Sequence, residues 1–346
     1  SDVCSSDLGQ NVFLAYLLGL EIGSRLARGA AGALHERGFH PTGLCGTFAA
    51  AAVGARLHQD TEAQLVSALG LCGSQAAGVL ELRESWLKRL HPGWAAHSGL
   101  AAGILSRHGF QGPRTMLEGP QGFYMAHVGK LPTAEQSPVA GLGTQWEIEG
   151  LALKPYPCCH FLHAFVDAAL ALREEVDIDE IERIDFYVSP ALLKMGAPIE
   201  RAIRPATIYD ALFSVHYTVA LALVKGRVDL AAFYSEPLND PAVTRIAEKV
   251  VAHEDPLSDF PRHFPGEVHI TLKDGRTVKR REFTSTGTPE RRLSREAINE
   301  KFLANATRVL SRSQAERAMA MVWDIEHLTD IHQLIAACTI SSGDSK

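Results

Sequence analysis

The chain is 346 residues long, with 46% apolar and 21% charged side chains and a net charge of −6, enough for two domains around a sizeable core and the balance of an ordinary globular protein. Mild acidity, with no basic run, no interleaved aromatics and no zinc-finger spacing, speaks against nucleic acid as a partner, and no run of about 18 uncharged apolar residues offers a membrane span. The six cysteines, Cys4, Cys45, Cys72, Cys158, Cys159 and Cys338, form no CxxC pair and no regular framework, so a reducing, cytoplasmic setting is expected and a paired metal or redox motif is not.

The opening residues SDVCSSDL lack an initiator Met and the basic start of a signal peptide. They match nothing that follows and are read as foreign, so the chain is expected to begin partway through a domain. Residues 11–28 place apolar side chains at helical spacing and stop at Gly29. Residues 47–57 are rich in Ala and Gly, which lets neighbouring helices approach closely, as a central helix requires. Thr61, with Gln64 three positions on, marks the start of a helix over 61–69, and another small-residue helix follows Gly70. Residues 94–107 form a further Ala- and Gly-rich helix ending at Gly109, and 117–127 read as a loop or short helix. Everything to Gly143 therefore reads as a helical bundle.

At Trp146 the texture changes. WEIEGLALKPYP predicts a short extended segment and a loop fixed by Pro155 and Pro157, then a helix over 160–175 with Phe161, Phe165, Ala168 and Leu172 inward. Residues 181–188 alternate as a strand, and 267–272 with 277–283 make a hairpin around Asp274-Gly275. Helix returns over 294–310, 313–322 and 325–337. The expected fold is mainly α with an α+β second domain. A helical bundle domain spans 9–150 with its N-terminal part missing, a smaller α+β lid spans 151–286, and C-terminal helices over 287–346 pack back on the first domain.

The residues that stand out are histidines and lysines set beside prolines and small-residue helices. His40 and His91 each precede a proline, which favours extended geometry and a loop position. Lys88, in LKRLHPGW, and Lys154, in LKPYPCCH, are read at turns leading into helices. Positive donors gathered at helix N-termini, where backbone amides are unpaired and the macrodipole is favourable, suit an anion. Each has a plainer alternative, since exposed lysines are usually solvated and a loop histidine often caps a helix or is buried with one hydrogen bond. His163 and Asp167, four apart, could form an intrahelical pair worth a few tenths of a kcal/mol. His160 and His163 belong to no metal-ligand spacing such as HExxH. In RPATIYDALFSVHYTVALAL, Ser214 has no GxSxG elbow to make it a nucleophile; Ser214 or Tyr217 is instead expected to face the site from a helix start. The glycines of GLCGTF, GFQGP and GLGT follow no strand, which removes a dinucleotide-binding loop.

Five ordered blocks, GFHPTGLCGTFAAAA, KRLHPGWAAHSGLAA, GFQGPRTMLEG, LKPYPCCHFLHAFVDAA and GTPERRLSREAINEKFLANA, resemble the MmgE/PrpD family over residues 11–334. The resemblance implies a large helical domain with a smaller α+β lid, a homodimer, and a cofactor-independent lyase that dehydrates a small di- or tricarboxylate such as 2-methylcitrate. Epimerisation or decarboxylation of a related polycarboxylate, and an inactive helical fragment, are the alternatives. Residue by residue, it implies His40, Lys88 and Lys154 as the catalytic charge clamp for substrate carboxylates, at the boundary of helical domain and lid, with no metal or organic cofactor. His91, Ser214 and Tyr217 complete the candidate site as substrate-binding residues. The family's upstream block, with an Asp, a Thr and a His for proton transfer, has no counterpart in this sequence. The aromatic residue that the family's decarboxylases place after the first lid strand falls near Leu193.

Overall fold

The Ala- and Gly-rich segments become the contact faces of a helical unit. The computed structural model describes residues 8–82, 85–193 and 198–340, which leaves SDVCSSDL up to residue 7, and Cys4 with it, outside the described residues. The chain divides into two units, residues 1–150 with 306–346 and residues 151–305.

In the first unit α1 (Gly9–Gly29), α2 (Ala33–Glu36), α3 (Pro41–His58), α4 (Glu62–Cys72), α5 (Leu87–Arg107) and α6 (Phe123–His127) follow one another. The central helix is α3, packed by α1, α4 and α5. It starts at Pro41 rather than residue 47, because a proline at the first helical position lacks only an N–H that has no helical partner there. The expected capping box of Thr61 and Gln64 opens α4. Leu26, Leu34, Leu44, Phe48, Phe123 and Tyr124 form the centre of this unit's core. A Cβ on Gly99 would collide with the Thr47 carbonyl and the Ala50 side chain, so α5 lies closer to α3 than any larger residue allows.

The start of α5 corrects the reading of residues 87–93. The helix begins at Leu87 and continues through His91 and Pro92, so His91 is a buried helical residue and not a loop residue, and Lys88 sits in the first helical turn. Pro92 removes one intrahelical donor. The buried positions His91, Ala95, Ser98, Gly99, Ala102, Gly103 and Ser106 nevertheless recur at helical spacing, and the packing of that face outweighs one missing bond.

The extended segment expected at WEIEGLALKPYP is not a strand. Glu147–Gly150 form a 3-10 turn, and the Leu153 N–H donates to Gly287 O at 2.8 Å. In the second unit α7 (His163–Arg173) buries Phe165, Ala168 and Leu172 completely. A four-stranded sheet runs in the order β2-β1-β3-β4, from β1 (Ile181–Val188), β2 (Val250–Glu254), β3 (Gly266–Leu272) and β4 (Thr277–Glu282). β1 pairs antiparallel with β3 and β3 with β4, while β2 runs parallel to β1. β2 has no counterpart among the expected strands, because its five residues bury only Val250 fully and show no alternation. Between β1 and β2 the chain forms α8 (Pro190–Leu193), α9 (Ile199–Ile203), α10 (Ile208–Leu212), α11 (Val215–Lys225), α12 (Leu230–Tyr234) and α13 (Pro241–Ala247). The sheet's inner face of Ile184, Phe186, Val268 and Ile270 joins one core with α7 and α11.

The tail forms α14 (Arg295–Ala306), α15 (Arg312–Trp323) and α16 (His332–Ala337). The helix expected over 325–337 is broken: Ile325–His327 is a 3-10 turn, and the Asp330 carboxylate accepts from the His332 N–H at 2.9 Å to start a new helix.

Candidate functional site

Two long helices bring their N-termini together in the first unit. His40 is the N-cap residue of α3, with φ −90° and ψ 105°, the extended geometry a following proline favours. Its backbone N–H donates to Gly78 O at 3.1 Å, the Leu80 N–H donates to Gly38 O at 2.8 Å, and Phe39 pairs with Val79 as an isolated bridge. With its backbone fixed in this way, the His40 ring meets α5: Nδ1 lies 2.8 Å from His91 Nδ1, with ring centroids 5.0 Å apart.

Neither α3 nor α5 has an Asp or Glu in its first turn, and α5 carries Lys88 and Arg89 there. The positive ends of both helices are therefore uncompensated by acidic side chains of their own. Burial first, then the neighbouring His91, Lys88 and His35, push the His40 imidazole down to about 4. His35 is lowered in turn by burial and by Lys88. At neutral pH His40 is an uncharged ring whose Nδ1 is engaged, so Nε2 is its free hydrogen-bonding position.

In the second unit Lys154 is exposed ahead of Pro155 and donates from Nζ to Cys158 O at 3.1 Å. Its own carbonyl accepts from Lys301 Nζ of α14. Burial, and then Lys154, hold Lys301 below the usual lysine value. His160 and His163 stack with centroids 5.1 Å apart. Burial, followed by His160 and Lys154, pushes the fully buried His163 down to about 3. The pair expected between His163 and Asp167 does not form. A buried neutral imidazole has no charge to offer a carboxylate, and Asp167 accepts instead from Tyr156 Oη and the Thr286 N–H, each at 2.6 Å.

Ser214 and Tyr217 are held by the core. Ser214 Oγ accepts from the Tyr217 N–H at 3.0 Å, capping α11, and donates to Ala202 O at 2.5 Å. Tyr217 is 1% exposed, and burial, with Asp240 and Glu236, pushes its phenol up to about 12. Ser214, His216, Phe186 and Leu193 line an apolar cavity of about 220 Å³.

The structure thus joins His40, Lys88 and His91 in one unit and places Lys154, Ser214 and Tyr217 in the other. His35 and Lys301 were not among the sequence candidates. His35 lies five residues before His40 but on α2, and nothing in its spacing shows that Lys88 is near. Lys301, in the KF of the tail block, carries no local signal of its bond to a carbonyl 147 positions away. Among the described residues no group of three or more His, Cys, Asp or Glu is placed to hold a metal ion, and no helix is long and apolar enough to cross a membrane. Cys45, Cys72, Cys158, Cys159 and Cys338 are free thiols.

Family models described as the MmgE/PrpD N-terminal domain and the MmgE/PrpD C-terminal domain match residues 1–136 and 156–327. Among known proteins, cis-aconitate decarboxylase of Mus musculus is 29% identical over 336 residues, covering 93% of this chain and 67% of the relative. The Homo sapiens enzyme of that name is 28% identical over 328 residues, with coverage of 93% and 67%. The one from Aspergillus terreus is 27% identical over 345 residues, with coverage of 94% and 70%.

Proposed function

The chain belongs to the MmgE/PrpD family, and from that premise we propose that it is a lyase acting on a small polycarboxylate. The observation that carries this reading is the meeting of α3 and α5 at His40 and His91, with Lys88 in the adjoining turn and no acidic residue in either first turn. Donors fixed in this way favour a multiply charged anion over a neutral ligand. Removing a proton or a carboxyl group next to a carboxylate builds negative charge on the carboxylate that remains. Preorganised donors stabilise that charge more in the transition state than in the ground state. Lys88 is assigned to a substrate carboxylate, and neutral His40, through Nε2, to a carboxylate or a leaving hydroxyl. In the second unit the assigned donor is Lys154, which spends one of its three N–H groups on the Cys158 carbonyl.

The three relatives are named for cis-aconitate decarboxylation, which favours loss of CO2 from an acid of that kind. Leu193 favours a second reading, dehydration of an acid like 2-methylcitrate, because it puts no aromatic side chain at that place after β1. Incubation with each acid, followed by product detection by NMR, is expected to show CO2 release or water loss from one of them. Lys88→Ala and Lys154→Ala are each expected to lower the rate on the order of a hundredfold. Turnover of neither acid, or turnover indifferent to both substitutions, overturns the proposal.

A further inference from the structure

Two imidazoles that meet at Nδ1 have a fixed proton count there. Nitrogens 2.8 Å apart hold one hydrogen between them: with none, two lone pairs face each other, and with two, the hydrogens collide. One ring therefore donates from Nδ1 and the other accepts, and in the neutral pair the accepting ring carries its hydrogen on Nε2. We propose that His91 is the donor, and so the positioning residue that holds neutral His40 in its Nε2–H form. The proposal rests on the function proposed above.

The two rings are unequally placed. His91 is 7% exposed, on the α5 face that packs against α3. His40 is half-buried, its backbone fixed by Pro41 on one side and by the Gly78 carbonyl on the other. Gly78 lies beside the pair, where a Cβ would stand 3.4 Å from His91 Nδ1. The groups that act on His40 are His35 of α2 and Lys88 and His91 of α5, all of them positive when charged. His40 thus stays neutral at pH 7, and the tautomer alone decides what it offers. With hydrogen on Nδ1, neutral His40 would turn the Nε2 lone pair toward an incoming carboxylate and repel it. With hydrogen on Nε2 it donates without needing a charge of its own beside Lys88.

Long-range 1H–15N correlation spectra of the 15N-labelled, substrate-free protein read both tautomers. The expected result is hydrogen on Nε2 of His40 and on Nδ1 of His91. In His91→Leu, His40 becomes a mixture of tautomers and its midpoint rises. In His91→Asn, whose amide N–H takes the place of Nδ1–H, the Nε2–H form persists. In turnover, His91→Leu lowers kcat by on the order of tenfold to a hundredfold with KM little changed, and His91→Asn restores most of it. A wild-type His40 with hydrogen on Nδ1, or a His91→Leu protein whose His40 keeps a single Nε2–H tautomer, overturns the proposal. The wild-type spectrum decides even where His91→Leu does not fold. Where the tautomers are as expected and neither acid is turned over, the lyase reading fails and the positioning of His40 by His91 stands.

Discussion

Burial leaves the His40 ring uncharged until about pH 4 and sets a neutral donor beside the cationic Lys88. Lys88→Met keeps the length of the side chain and removes its charge. Because Lys88 is one of the groups that hold the imidazole down, the His40 midpoint is expected to rise in this variant, followed by NMR titration; an unmoved midpoint contradicts the assignment. Ser214 offers the opposite case. Its hydroxyl is committed to the Tyr217 N–H and the Ala202 carbonyl, so Ser214→Ala is expected to cost about 1 kcal/mol of stability as a lost cap and to leave kcat unchanged. Loss of turnover with an unchanged Tm would place Ser214 in the chemistry instead. His40, Lys88 and Lys154 stand out in the sequence as candidates because each sits in a distinctive block beside a proline or a helix start. The contact of His91 with His40 does not stand out, because it spans 51 positions and depends on a helix that passes through Pro92 where a helix break was the natural reading.

Helices rich in small residues were legible as close-packing elements, and α3 and α5 show why. With Gly99 on the Thr47 carbonyl, the backbones meet, and His40 and His91 can touch from different helices. Gly99→Val is therefore expected to cost about 1–3 kcal/mol through overpacking, seen as a lower Tm, and to loosen the His40–His91 contact, seen as a mixed His40 tautomer. A variant as stable as the parent contradicts this packing. The hairpin of β3 and β4 was also legible from its alternation and its Asp274-Gly275 turn, whereas β2 takes its place by pairing with β1, which no local pattern announces. Glu21 and Arg25, four residues apart, lie among the buried positions of α1. In the fold they are a buried pair at 2.5 Å, and Arg25 also donates to the Pro138, Ala140 and Gln145 carbonyls at 2.9, 2.8 and 2.5 Å, tying that loop to α1.

Across the whole molecule, neutral buried histidines set the response to acid. Burial is the largest cause that lowers His40 and His216 to about 4 and His163 to about 3. An unfolded histidine binds its proton near 6.5, so between that value and 4 the unfolded chain takes up protons that the folded chain refuses. The stabilisation is complete above pH 6.5 and is lost as pH falls. The urea midpoint is expected to drop between pH 7 and pH 5; a flat or rising midpoint contradicts the burial of these rings. At this scale the mainly helical fold with a smaller α+β part, and the family, were legible because five blocks keep their order along the chain, and order over such a length is more specific than any one motif. The most direct test of the central claim, that the paired N-termini of α3 and α5 hold a small polycarboxylate, is calorimetric titration with propane-1,2,3-tricarboxylate, which has three carboxylates and no leaving group. The expected result is saturable binding that weakens at high salt and falls by about tenfold or more in Lys88→Met. No binding to the parent protein, or an affinity unchanged in Lys88→Met, would contradict it.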